Sequence, residues 1–381
     1  MTKEEIKRLC EENYDEIVAV RRELHQYPEI GRKEFKTTEI IIGCLDKWGI
    51  EYERLIDTGV VALVKGAKEG ITTALRADID ALGITENTNV PFKSQNGCMH
   101  ACGHDIHTAS LLGAAKIINE NRYKLSGTVK FIFQSDEEGD GGAERLIAKG
   151  VMKDVDRVFG LHVRPEMKVG TLAVKYGKFY ASSDIFEIDV IGRSGHCAEP
   201  HKNVDAIVIG AQIITALQTI VSRNVSPLDN AVLTIGTANG GTFRNTVAGK
   251  FSITGVTRSL GKEMRMYLRQ RIKDTAEGIA KAMGGEAVVR IIESYPGIVN
   301  EEISAGYIEN IAKDCLGKEN VRVLSDAFMT TEDFGYYLYE APGCFYHIGC
   351  DCEYPLHSDK FCGDEKAIQT AMLMHIASVF M

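Results

Sequence analysis

Short apolar runs and helical patterns alternate through the first part of the chain. Val60–Val64, Thr72–Leu75, Val129–Gln134 and Arg157–Val163 read as buried strands. Between the middle pair, Leu111, Leu112, Ala115 and Ile118 recur at helical spacing over 106–119. Another helix is expected over 3–26 from Ile6, Leu9, Cys10, Ile17, Val20 and Leu24, and a second over 37–47, ending at Gly49. Strand–helix alternation restricts the fold class to α/β, with a mostly parallel central sheet flanked by helices. Such sheets gather their ligands at the carboxyl ends of the strands.

The pattern changes near residue 181. Ile185–Ile191 alternates like a half-exposed strand, followed by a helix over 204–221, strands over 231–236 and 250–257, a helix over 262–282 and a strand over 287–292. Sheet-like runs then resume at Val321–Leu324 and Cys344–Gly349, and a helix closes the chain over 365–379. At 381 residues, two domains are expected. The simplest division is a catalytic domain over 1–180 and 293–381, interrupted by an inserted two-layer α+β domain over 181–292.

The balance of 53 acidic against 44 basic residues leaves a net charge of −9, which argues against nucleic acid or an anionic membrane as partner. The N-terminal segment is charged and amphipathic rather than a signal peptide, and no run of eighteen apolar residues is seen. Ten cysteines in a chain without an export signal point to reduced thiols and a cytoplasmic location.

The densest chemistry lies in Gly97-Cys98-Met99-His100-Ala101-Cys102-Gly103-His104-Asp105-Ile106-His107. Thiolate and imidazole are ready ligands for Zn²⁺, Mn²⁺, Co²⁺ or Ni²⁺. No second cysteine knuckle and no finger-type histidine pair follows, so neither standard structural zinc pattern is complete. The completing groups must be distant. Strand 129–134 runs into Ser135-Asp136-Glu137-Glu138, where adjacent carboxylates point in different directions and can divide metal binding from proton transfer. The 157–163 strand delivers His162, and His357 follows Tyr354-Pro355-Leu356. Each has an ordinary reading: His162 as a packed core histidine, the glutamates as solvated surface, Cys350, Cys352 and Cys362 as incidental thiols, His25 and His375 as structural. Joint placement at successive strand ends favours a site.

These motifs, with Leu75-Arg76-Ala77-Asp78-Ile79-Asp80-Ala81-Leu82, Ser194-Gly195-His196-Cys197-Ala198-Glu199-Pro200 and Thr331-Glu332-Asp333-Phe334, give the chain a resemblance over nearly its whole length. It resembles the metal-dependent amidohydrolases of the aminoacylase and carboxypeptidase group, in the branch of hippurate hydrolase, N-acetyldiaminopimelate deacetylase and auxin-conjugate hydrolases. The resemblance implies two divalent metal ions (Mn, Zn, Ni or Co) held by Cys102, His104, Glu138, His162 and His357, with Cys102 bridging. It implies Glu137 as general base and Asp78 as a supporting carboxylate. The wider family has a histidine ligand where this chain has Arg76. A donor to the tetrahedral oxygen is implied at His196, in a lid and dimerisation domain that often reaches across a homodimer.

The implied activity is hydrolysis of the amide bond of an N-acyl amino acid. Dipeptide cleavage by a metallopeptidase and a non-catalytic metal-binding homologue are the alternatives. A substrate α-carboxylate needs Arg or an amide, and Asn245, Arg258 and Arg244 are the candidates. The family continues the asparagine with Val-Ile-Pro. Here Thr246-Val247-Ala248 follows, which makes that loop less rigid.

Overall fold

The computed structural model describes residues 1–381, which fold into two compact units. The first comprises Met1–Gly177, Val299–Asp326 and Asp333–Met381. Its eight-stranded sheet has the order Glu51–Glu53, Val60–Lys65, Ser126–Gln134, Lys68–Asp78, Arg157–Arg164, Gly343–Gly349, Leu172–Val174, Val321–Val323. The four strands at its centre run parallel, and antiparallel pairs lie towards the edges. The expected α/β class with a mostly parallel sheet is the one the chain adopts.

Helix His104–Glu120 explains why the core forms where it does. It is apolar on almost every side and buried on almost every side, as a helix in the middle of a layer must be. It packs between the N-terminal helix Lys3–Gln26 and the C-terminal helix Ala367–Phe380. Ile17, Leu111, Leu112, Ala115, Leu75, Phe131 and Met372 belong to one continuous core.

The sequence reading places no helix between 293 and 321, yet Glu302–Leu316 is one. Ala305, Ile308, Ile311, Ala312 and Cys315 form its buried face, and the Glu301 carboxylate caps it by accepting from the Ser304 amide at 2.6 Å. The glutamate cap stands outside the usual Ser/Thr/Asp/Asn start signals, which hides the boundary.

The second unit comprises Lys178–Ile298 and Ala327–Glu332. Four antiparallel strands, in the order Ala231–Gly240, Lys250–Ser259, Ser182–Ile191, Glu286–Glu293, carry helices Ala206–Thr219 and Lys262–Ala282. Phe186, Ile188, Ile209, Ile213, Leu217, Ile253, Leu268 and Ile272 form its core. Helix Ala206–Asn224, which ends in a π-helical turn, is long and apolar enough to cross a membrane by length and composition. Here it is an amphipathic layer helix, N-capped by Asp205, with Ile209, Ile213 and Leu217 turned into that core. Arg258 Nη1 donates to the Met329 carbonyl at 3.3 Å and Thr331 Oγ1 at 3.1 Å, fastening the 327–332 segment to the small sheet.

Candidate metal centre

Three strand ends and one helix start converge in the first unit. The 68–78 and 126–134 strands lie side by side, with Asp78 level with Gln134. The chain beyond the second turns sharply: Asp136 sits at φ 62°, and a Cβ on Gly142 would stand 1.7 Å from the Ser135 carbonyl oxygen. Glu137 and Glu138 are presented on this turn, Glu137 buried and Glu138 half-buried. Gly103, at φ 86°, turns the chain into the helix that starts at His104, and a Cβ there would strike Val163 Cγ2 at 2.5 Å.

The ligand atoms of Cys102, His104 and His162 lie within 4.8 Å of one another. So do those of Cys102, Glu138 and His357, and those of His104, Glu137 and Glu138. Cys102 is thus shared by two adjoining clusters. His357, at φ 66°, brings its Nε2 to 3.1 Å from Glu138 Oε1, and its backbone amide donates to the Ala101 carbonyl at 2.8 Å. A left-handed conformation at a non-glycine residue costs energy that the surrounding contacts must offset.

The hydrogen bonds decide which histidine nitrogens remain available. His104 Nδ1 donates to the Asp80 carbonyl at 3.0 Å, leaving Nε2 buried and without a hydrogen-bond partner. His162 Nδ1 donates to the Val163 carbonyl at 2.7 Å, leaving Nε2 facing Cys102 Sγ at 3.3 Å. His107 is different. Its Nε2 accepts from the Val163 amide at 2.9 Å, so its Nδ1–H donates to Asp78 Oδ1 at 2.6 Å. Both nitrogens are committed, and His107 ties the 78 and 163 strand ends together.

Charge supports the same picture. Burial presses the His104 ring towards neutrality, but Asp78 and Asp80 outweigh it and lift its pKa to about 10. Burial, then Glu138 and Glu137, drives the Cys102 thiol well above its usual range. Without a cation, burial at Cys102 and the surrounding carboxylates at both groups therefore keep protons on atoms that a metal needs bare. A divalent ion removes both penalties. The orphaned His104 Nε2, the soft thiol and the imidazole and carboxylate donors fit such a centre.

Behind the donors lies a buried network only partly expected. Arg76 donates to Gln134 Oε1 at 2.9 Å, Asp78 Oδ2 at 2.8 Å and Asp333 Oδ1 at 2.8 Å. Asp333 Oδ2 accepts from the Gly142 and Ala143 amides, each at 3.0 Å, and from Gln134 Nε2 at 2.7 Å. Asp333 therefore clamps the far end of the Glu137 turn. Asp80 Oδ2 accepts the Glu138 amide at 2.9 Å, and Glu34 Oε1 the Asp136 amide at 2.9 Å. Asp80 and Asp333 lie inside the motifs singled out above, but their partners are remote in sequence. The alternation Arg76, Asp78, Asp80 was the available signal, since it sets all three on one side of the strand line.

The remaining candidates belong to the second unit. His196 pairs with Thr246 on a short two-stranded ribbon, and the Cys197 amide donates to the Asn245 carbonyl at 3.2 Å. His196, Arg244 and Asn245 thus share one exposed loop cluster, while Arg258 is engaged with 329 and 331.

The clustered donors at the strand ends fit a metal-dependent hydrolase. The sequence pattern of Peptidase family M20/M25/M40 matches residues 74–379, and the chain belongs to that family. It is 41% identical over 356 residues to an N-acetyl-L-cysteine deacetylase of Bacillus subtilis, covering 93% of this chain and 85% of that one. An N-acetyldiaminopimelate deacetylase of Bacillus pumilus is 40% identical over 368 residues, covering 94% and 96%. A solved Bacillus subtilis structure, described as a dinuclear metal binding peptidase from the M20 family, superposes with a TM-score of 0.85 at 34% identity, covering 97% and 98%. The resemblance read from the motifs holds, and the chain is an enzyme that hydrolyses amide bonds.

Proposed function

We propose that this enzyme cleaves the amide of an N-acyl amino acid, yielding a carboxylic acid and a free amino acid, with two divalent ions held by Cys102, His104, Glu138, His162 and His357. The observation that carries the reading is buried Glu137 beside two donor clusters joined at Cys102. Bound there, the ions supply Lewis acidity and an activated water. Glu137 takes the proton of the attacking water and returns it to the amide nitrogen as the C–N bond breaks. The Asp80 and Val163 carbonyls hold His104 and His162 in their Nδ1–H tautomers, which keeps both Nε2 lone pairs directed inward.

His196 is assigned the donor role at the tetrahedral oxygen. Its Nδ1 accepts from the Ala198 amide at 3.1 Å, so its Nε2 carries the proton to be donated. Asn245, Arg244 and Arg258 are assigned to the substrate carboxylate. The second unit is assigned lid and dimerisation roles, and its uncovered edge strand Ala231–Gly240 supports a homodimer. A cytoplasmic location agrees with ten free cysteines.

The test is a panel of N-acetyl amino acids, N-benzoyl amino acids and dipeptides, assayed together with metal analysis. The N-acyl amino acids should exceed the dipeptides in kcat/KM by about tenfold or more, roughly 1.4 kcal/mol of transition-state discrimination. The reverse order would make the enzyme a dipeptidase.

A further inference from the structure

Three cysteines that the metal centre does not use lie together at the base of the loop carrying His357. The loop leaves and returns at one place: the Asp364 amide donates to the Cys350 carbonyl at 2.8 Å, and the Cys362 amide points at Cys352 Sγ at 3.4 Å. His357 sits midway between Cys352 and Cys362, in its left-handed conformation. Both thiols are free, half-buried and line one surface pocket of about 500 Å³. Asp351, Glu353 and Lys360 line it too, so the pocket offers carboxylates and an ammonium beside the sulfurs. Burial pushes the Cys362 thiol above its usual range, and Arg21, whose Nη2 stands 4.0 Å from Cys362 Sγ, opposes that rise without cancelling it. Cys350, by contrast, is buried.

We propose that Cys352 and Cys362 form a reversible disulfide by exchange with a low-molecular-weight disulfide bearing amino and carboxylate groups, and that this ring closure lowers turnover by shifting His357. The Cys352 thiolate attacks one sulfur of the small disulfide, forming a mixed disulfide and releasing one thiolate. The Cys362 thiolate then attacks Cys352 Sγ, forming the protein disulfide and releasing the second. Two protein thiols are oxidised, one small disulfide is reduced to two thiols, and the protons pass to solvent or to the released thiolates. The bond changes the partners of both sulfurs, Cys352 Sγ beside the Cys362 amide and Cys362 Sγ beside Arg21, at the two ends of the segment that carries His357. The effect on turnover rests on His357 as a metal ligand; the cross-link itself does not.

Metal-loaded protein is incubated with cystine and digested without reduction, and peptides are mapped by mass spectrometry alongside turnover. A Cys352–Cys362 cross-link is expected, with turnover down about tenfold or more and restored by a thiol reductant. Cys352→Ser and Cys362→Ser should each keep reduced-state turnover and lose the cystine-induced fall. No cross-link, a link through Cys350, or a stable mixed disulfide alone overturns the proposal. A Cys352–Cys362 link with unchanged turnover overturns the control of His357, whatever the substrate panel returns.

Discussion

The two adjacent glutamates of one turn are assigned different work because they meet different neighbours, although both carboxylates lie within 4.8 Å of each other and of His104. Glu138 faces His357 and Cys102, whereas Glu137 is buried beside His104 and Glu138. Glu137→Gln should therefore keep its metal by elemental analysis while kcat falls about 10²–10⁴-fold, the range for loss of a general base. Unchanged turnover would remove Glu137 from proton transfer. Cys102→Ala should do the opposite first, lowering metal content because Cys102 is shared by both donor clusters. Full occupancy in that variant would show the thiol is not a ligand. Cys102 and His104 were legible as ligand types from sequence. That His107 is not free to ligate was settled by the Val163 amide, a partner no local pattern indicates.

The Asp136–Gly142 turn is held by groups from elements far apart in the chain, and one of them makes it pH-sensitive. Burial raises the Glu34 carboxyl to about 7, although Thr58 and the Asp136 amide bond to it. A carboxyl whose folded pKa is raised stabilises the fold fully below its unfolded pKa of 4.5, and that stability is lost as pH rises through about 7. Over that window the wild type should lose up to about 3 kcal/mol relative to Glu34→Gln, measured by urea unfolding of metal-free protein. Parallel curves for the two proteins between pH 4.5 and 8 would refute the assignment. Helix boundaries at this scale followed the apolar spacing closely, as at Lys3–Gln26 and Lys262–Ala282. Helix Glu302–Leu316 went unread although its apolar spacing was present.

At the scale of the molecule, the proposed donors come from sites spread between residues 102 and 357, so ions bound there would clip together segments that separate on unfolding. Saturating divalent metal at about 100 times its Kd should raise unfolding free energy by about 2.7 kcal/mol, and a chelator should remove the gain. Denaturation midpoints that do not respond to metal would mean the unfolded chain binds it equally well, or that the donors do not act together. The unit that carries His196 owes part of its structure to 327–332, a stretch that follows a return to the first unit. Composition shifts mark where a chain leaves a domain but not where a later segment joins it.

Local physics determined much of this protein. Period-two and period-3.6 apolar patterns set the α/β layer, and the ligand-dense 97–107 segment announced a metal. Tertiary structure decided which donors remain free. His104 and His107 differ in sequence by three places and in chemistry by one hydrogen bond, because only the fold brings Asp80 to one ring and the Val163 amide to the other. Hydrogen-bond partners depend on pairwise geometry between remote segments, and that information appears only once the strands are in register.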